Sequence, residues 1–178
     1  MRRPIVLDAS AALPLVHQEL ESDTWRSVAD RWILDRRRVV VPDHFWLEVV
    51  NSLLRRHQYT GDAVLEALHV LGDVVVESLA IDRPTLLMAL DRAERFGLTA
   101  YDAACLALAE AIDAELATMD GALAVAAGDR LVRRPGSLQL SEPRATYGDQ
   151  PRATWPDYRE AASYLAKLRA EVIASGRS

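Results

Sequence analysis

The sequence predicts a three-layer α/β/α domain, in which helices cover both faces of a mostly parallel sheet of about five strands. Short apolar runs alternate with segments of helical periodicity through the first 134 residues, a pattern typical of parallel strands joined by helical crossovers. The runs are rich in valine, isoleucine and leucine without polar alternation, as expected of strands buried on both faces. With 178 residues, half of them hydrophobic, the chain can bury such a core.

The strand predictions follow the continuous apolar runs. Most of these runs stop at a residue that favours turns or helix starts, such as Asp8, Pro42 or Asp120. The predicted strands are Pro4–Leu7, Val39–Val41, Val74–Val76, Leu116–Met119 and Arg130–Val132.

Helices are predicted where apolar residues recur at intervals of three and four. Ser10, Thr60 and Asp82 are predicted as N-caps, and Gly97 stands where a glycine ends a helix. The predicted helices cover residues 11–16, 22–34, 43–57, 60–71, 82–96 and 99–113, followed by a short helix from Gly121.

The composition changes after Arg134, so we predict a domain boundary there. Residues 1–134 are predicted to form the α/β domain, and residues 135–178 a Pro/Gly-rich linker followed by an amphipathic helix over Asp157–Ser175. We expect this helical extension to dock on the domain or on a partner subunit.

Composition restricts the function classes. Cys105 is the only cysteine, which excludes an intrachain disulfide and a cysteine-based metal site. No apolar run is long enough to cross a membrane and no export signal is evident, so we expect a cytoplasmic protein. The net charge of −5 argues against a broad nucleic-acid surface. We therefore expect a local basic rim, drawn from Arg36, Arg37, Arg38, Arg55 and Arg56.

Three aspartates are predicted to meet at one edge of the sheet. Asp8 and Asp120 each follow a strand, and Asp102 lies in the first turn of the helix that leads into the strand before Asp120. In parallel α/β folds, ligands bind beyond the carboxyl ends of the strands.

Glu48 lies mid-helix, on one stripe with His44 and Asn51. Each acidic residue also has an ordinary structural explanation, since Asp8 and Asp120 fit helix caps, Asp102 fits a capping box with Thr99, and Glu48 fits a solvated face.

Carboxylates gathered in this way would require protons or cations to neutralise them. Two of them about 4 Å apart repel by roughly 4 kcal/mol at the effective dielectric of a protein surface. Oxygen ligands without histidine or cysteine favour Mg²⁺ or Mn²⁺ over Zn²⁺. A site of this kind can hold a phosphodiester and activate water for its hydrolysis.

Four segments in this order resemble the PIN-domain family, and within it the VapC-type toxins of bacterial toxin–antitoxin pairs. They are Ile5–Ala11, Pro42–Leu54, Gly97–Ala104 and Leu116–Asp120, and the resemblance covers roughly Pro4 to Val132. It implies a Mg²⁺- or Mn²⁺-dependent endoribonuclease that dimerises and is silenced by a cognate antitoxin. Asp8, Glu48, Asp102 and Asp120 would be the catalytic and metal-binding acids, with Ser10, Asn51 and Thr118 as polar residues around the metal or phosphate.

Three other functions stay open from sequence. One is a PIN-type ribonuclease that acts in RNA processing without an antitoxin. Another is a binding module in which the acidic cluster has no catalytic role. A receiver-like phosphorylation domain also gathers carboxylates at a sheet edge, but it needs a lysine near the last strand, and Lys167 is the only lysine. The RNA that is cut and its cleavage sequence leave no signal in the chain.

Overall fold

A computed structural model of the chain describes residues 2–17 and 22–132. It contains four strands, β1 (Ile5–Leu7), β2 (Val39–Pro42), β3 (Glu77–Leu79) and β4 (Glu115–Ala117). The seven α-helices of this part are α1 (Ala9–Val16), α2 (Ser22–Leu34), α3 (Phe45–Arg55), α4 (Gly61–Val74), α5 (Arg83–Phe96), α6 (Ala100–Ala111) and α7 (Gly121–Ala127), and a 3₁₀ turn spans Gly128–Arg130.

The strands form one parallel sheet in the order β3-β2-β1-β4. Because β1 is central, its alternate side chains enter two different cores. Ile5 and Leu7 pack with helices α1 to α4 on one face, whereas Val6 packs with α6 and α7 on the other. The three-layer arrangement predicted from the apolar runs is therefore confirmed.

The strand count is lower than predicted within the described part of the chain. Leu131 makes one parallel bridge to Leu116, and Arg130 belongs to the 3₁₀ turn, so the predicted fifth strand is present there only as that bridge. The predicted linker and C-terminal helix lie outside the described residues.

The third strand lies further along the chain than predicted. Helix α4 continues through Val74, because the N–H of Val75 still donates to the carbonyl of Leu71. Strand β3 then begins at Glu77 as the outermost described strand, with Glu77 and Ser78 exposed. An edge strand need not bury both faces, so the apolar run Val74–Val76 was a misleading signal.

Most predicted helix ends are confirmed. Thr60 and Asp82 accept hydrogen bonds as N-caps, and Gly97 ends α5 with a left-handed φ of 67°. The predicted cap of the first helix is wrong. Asp8 caps α1, which begins at Ala9, and Ser10 lies inside its first turn. The Ser10 hydroxyl turns instead toward Asp8 and Thr118.

Candidate metal-type active site

The candidate site lies at the carboxyl ends of β1 and β4, which are neighbours in the sheet. Asp8 follows β1 directly, and Thr118 and Asp120 follow β4, its neighbour in the sheet. Register brings the two strand ends together, since Leu7 is paired with Ala117 and the N–H of Asp8 donates to the carbonyl of Ala117. Residues 110 positions apart in sequence thereby become direct neighbours.

Asp8 is the buried centre of this edge, with only 4% of its surface exposed. Its Oδ2 atom accepts hydrogen bonds from the Ser10 backbone N–H at 3.2 Å, the Ser10 hydroxyl, and the Thr118 hydroxyl at 2.9 Å. The Cys105 thiol lies 4.0 Å from Oδ1. These neutral donors fix the carboxylate orientation, and no ion pair between described residues includes Asp8.

Ser10 and Thr118 also connect the two strand ends. Their hydroxyl oxygens are 3.1 Å apart, the Met119 N–H donates to Ser10 Oγ at 2.8 Å, and the Asp120 N–H donates to Thr118 Oγ1 at 3.0 Å. Thr118 is buried, with 4% of its surface exposed. Both residues thus lie in the hydrogen-bond network around Asp8, and their proximity to a metal or phosphate stays a prediction.

Asp102 and Asp120 are both helix-capping residues, so the structural explanation and the site placement hold together. Thr99 Oγ1 donates to Asp102 Oδ2 at 2.6 Å and accepts from the Asp102 N–H at 3.2 Å. Asp120 caps α7, where its Oδ1 accepts from the N–H of Leu123 at 2.7 Å. Capping occupies one oxygen of each carboxylate and holds the side chain at the helix N-terminus.

Glu48 reaches the site from α3. The buried stripe of α3 is Phe45, Val49 and Leu53, which places Glu48 at the border of this stripe with its side chain 32% exposed. His44, one turn earlier, lies with Nε2 3.7 Å from Glu48 Oε2. This is beyond hydrogen-bonding distance.

The electrostatics tie the carboxylates into one group. Desolvation, then the negative charges of Asp8 and Asp102, raise the pKa of Glu48 to about 7. Desolvation also raises the pKa of Asp102, and Asp8 and Asp120 add to this effect. Burial raises the pKa of the Cys105 thiol well above its usual range, with further contributions from Asp8, Glu48 and Asp102. Glu48 thus lies near Asp8 and Asp102, and Asp102 lies near Asp8 and Asp120, so the negative charges act on one another in pairs.

The donor set fits a hard divalent cation, but the side chains are not yet in ligating positions. All four charged groups supply oxygen, the donor that Mg²⁺ and Mn²⁺ prefer. Among the described residues, however, no three acidic, histidine or cysteine side chains lie close enough to hold one ion. Rotation of these side chains would be needed to bring the carboxylate oxygens around one ion.

Three further residues at the site are predicted weakly or not at all by the sequence. His44 is indicated only by its position one helical turn before Glu48. Tyr101 precedes Asp102 on α6, and Cys105 follows it. Tertiary packing alone places the Cys105 thiol against Asp8 and the Tyr101 ring 5.4 Å from the His44 ring. Asn51 is exposed on α3, and within residues 2–17 and 22–132 no hydrogen bond joins it to the carboxylates.

The predicted basic rim is only partly placed near the site. Arg36, Arg37 and Arg38 precede β2 and therefore lie at the amino-terminal edge of the sheet, opposite the carboxylates. Arg37 pairs with Glu115, and Arg38 pairs with Glu77. That part of the prediction is wrong, because the arginines complete ion pairs at strand starts. Arg55 and Arg56 end α3, about two turns beyond Glu48, and are exposed.

Both the sequence and the fold resemble known proteins. Residues 5–129 match the family model described as PIN domain. Among solved structures, VapC20 from Mycobacterium tuberculosis, described as a Sarcin-Ricin loop cleaving toxin, has 21% sequence identity and a TM-score of 0.58, with 74% of this chain and 99% of that chain covered. PAE2754 from Pyrobaculum aerophilum has 25% identity and a TM-score of 0.52, covering 70% and 79% respectively.

FitAcB from Neisseria gonorrhoeae has 19% identity and a TM-score of 0.54, with 69% of this chain and 92% of that chain covered. A comparison with curated proteins gives no match. No helix within the described residues is long and apolar enough to span a bilayer.

Proposed function

This chain belongs to the PIN domain family, and we propose that it is a divalent-metal-dependent endoribonuclease of the VapC type, the toxin of a type II toxin–antitoxin pair. The observation that carries the proposal is the coupled group of Asp8, Glu48, Asp102 and Asp120 at the carboxyl edge of β1 and β4. The similarity of fold to VapC20 supports the toxin assignment.

In this proposal the four carboxylates hold Mg²⁺ or Mn²⁺. Bound there, such an ion would neutralise a phosphodiester and lower the pKa of a water molecule for attack. Asp8 is the central ligand, because Ser10 and Thr118 fix its orientation and leave its charge uncompensated.

Glu48 reaches the site from α3 and not from the end of a strand. Its carboxylate holds the ion or orients the attacking water. Asp102 and Asp120 complete the ligand set from helix N-termini that already favour negative charge.

The partners proposed are an RNA substrate in the cytoplasm, a second copy of the chain, and a cognate antitoxin that silences the enzyme. A PIN ribonuclease that works in RNA processing is the alternative with the same chemistry. A small reading frame directly upstream that encodes a binding partner would favour the toxin.

The deciding experiment is incubation of the purified protein, freed of partners, with total cellular RNA and Mg²⁺ or Mn²⁺. We expect discrete cleavage that EDTA and the Asp8→Asn substitution both abolish. Asp73→Asn neutralises an exposed carboxylate on α4 and is the matched control, which should cleave as the wild type does.

Calorimetric titration with Mn²⁺ provides a second measurement that does not depend on finding the RNA target. Asp8→Asn should weaken ion binding at least tenfold, whereas Asp73→Asn should not. Unchanged affinity in a folded Asp8→Asn protein would refute the metal site and leave a binding module as the better function.

A further inference from the structure

Beside the carboxylates, the protein presents a small neutral shelf made by Tyr101, His44 and Leu47. Tyr101 precedes Asp102 on α6 and is 57% exposed. Its ring centroid lies 5.4 Å from that of His44, with the ring planes inclined by 51°. Leu47 lies one turn from His44 on the same side of α3 and is 73% exposed. The shelf therefore borders the carboxylates through the immediate neighbours of Asp102 and Glu48.

We propose that this shelf binds an unpaired nucleobase of the RNA, next to the phosphodiester held at the acidic site. The inference rests on the proposed nuclease function and names the part of the substrate that the site recognises. Single-stranded RNA is bound by stacking bases on aromatic side chains, and such stacking tolerates different base sequences.

The charge distribution favours a base over a phosphate on the shelf. The protein carries a net charge of −5, Arg36, Arg37 and Arg38 lie at the opposite edge of the sheet, and Arg55 and Arg56 lie about two turns beyond Glu48 at the end of α3. Phosphate contacts, the usual source of affinity for nucleic acids, would therefore be made by Arg55 and Arg56 and not by the shelf. Flat, uncharged surface beside the acids can supply affinity without opposing the local negative field.

The His44 ring is less exposed than the Tyr101 ring. The side chain of His44 is 18% exposed, and its ring lies 5.4 Å from the ring of Tyr101, between α3 and α6. His44 therefore supports Tyr101 as the outer surface on which a base can lie.

The test combines a change in the protein, at Tyr101, with a change in the RNA, the loss of one base. The RNA is a single-stranded decamer that carries one 2-aminopurine, or the same decamer with an abasic site at that position. Binding is measured with Ca²⁺ in place of Mg²⁺, and the RNA is checked by gel for integrity. We expect Tyr101→Ala to weaken binding of the intact decamer about tenfold, as removal of one stacking aromatic does. Tyr101→Phe retains the ring and should stay within twofold of the wild type.

The 2-aminopurine fluorescence gives the direct signature of stacking. Wild type and Tyr101→Phe should quench it on binding, and Tyr101→Ala should not. The abasic decamer should bind wild type and Tyr101→Ala equally, because the partner of the ring is absent. Phe96→Ala removes another exposed ring, at the end of α5, and should change neither affinity nor quenching.

Failure of the shelf is distinguishable from failure of the nuclease. If the wild type cleaves RNA but Tyr101→Ala binds and quenches like the wild type, the shelf is refuted and the nuclease stands. If Tyr101→Ala alters the self-association seen by light scattering while RNA affinity is unchanged, the rings form a protein contact and the shelf is again refuted. If the wild type neither cleaves RNA nor binds Mn²⁺, the nuclease proposal itself fails.

Discussion

Glu48→Gln should stabilise the metal-free protein above neutral pH. The pKa of Glu48 is raised from 4.5 to about 7 in the folded chain, so the folded state binds the Glu48 proton more tightly than the unfolded state. Stability is therefore highest below pH 4.5 with respect to this group and falls as the pH rises through 7. Ionised Glu48 opposes folding, and its amide isostere does not.

The size of the effect follows from the pKa difference. The difference between 4.5 and about 7 corresponds to about 3.4 kcal/mol at roughly 1.4 kcal/mol per pH unit. Because the side chain is 32% exposed, solvent screening reduces this to about 1.5 kcal/mol. Loss of a negative charge near the N-terminus of α3 subtracts about 0.3–0.5 kcal/mol. We expect a net gain of about 1 kcal/mol at pH 8 and almost none at pH 5.

Urea denaturation in EDTA at pH 5 and pH 8, followed by far-ultraviolet circular dichroism, measures both values. Glu66→Gln neutralises an exposed carboxylate on α4 and should stay within about 0.5 kcal/mol of the wild type at both pH values. A Glu48→Gln protein that is no more stable than the wild type at pH 8 would contradict the inference that burial and the charges of Asp8 and Asp102 disfavour ionised Glu48. An equal gain in stability at both pH values would mean that the gain does not come from the ionisation of Glu48.

Three further predictions concern the cation, the site network and the fold. Mn²⁺ should raise the melting temperature of the wild type measurably and that of Asp102→Asn much less, because ion binding stabilises only the folded state that can bind it; equal shifts in both proteins would remove Asp102 from the ligand set. Thr118→Val should destabilise the protein by about 1–3 kcal/mol in urea denaturation, because Asp8 loses a donor and the Asp120 N–H loses its acceptor, whereas Thr118→Ser should cost less than 1 kcal/mol. Gly97→Ala should cost about 1 kcal/mol at its φ of 67°, while Gly72→Ala, inside α4 with open space around it, should stabilise by about 0.5–1 kcal/mol; the same sign at both positions would contradict this explanation.

The sequence alone determined the layered fold and the positions of Asp8 and Asp120 after strands. Apolar runs of β-branched residues require burial on both faces, so parallel topology follows from local pattern, and Asp8 and Asp120 directly follow such runs. The caps at Asp82 and Gly97 were also predictable from the sequence, because capping depends on a few neighbouring residues. Val74–Val76 misled the strand prediction, since a run of valines also fits the end of a helix that packs on the core.

Tertiary structure alone decided how the candidate site is assembled. The register of β1 with β4 brings Thr118 to Asp8, and the packing of α3 and α6 brings Glu48, Cys105 and Tyr101 to the same edge. Local sequence could not fix the cap of α1, because Asp8 and Ser10 are both good capping residues, and the competition depends on the Thr118 hydroxyl from a strand 110 residues away. The ion pairs of Arg37 and Arg38 before β2 likewise join different strands, and sequence spacing does not encode such contacts.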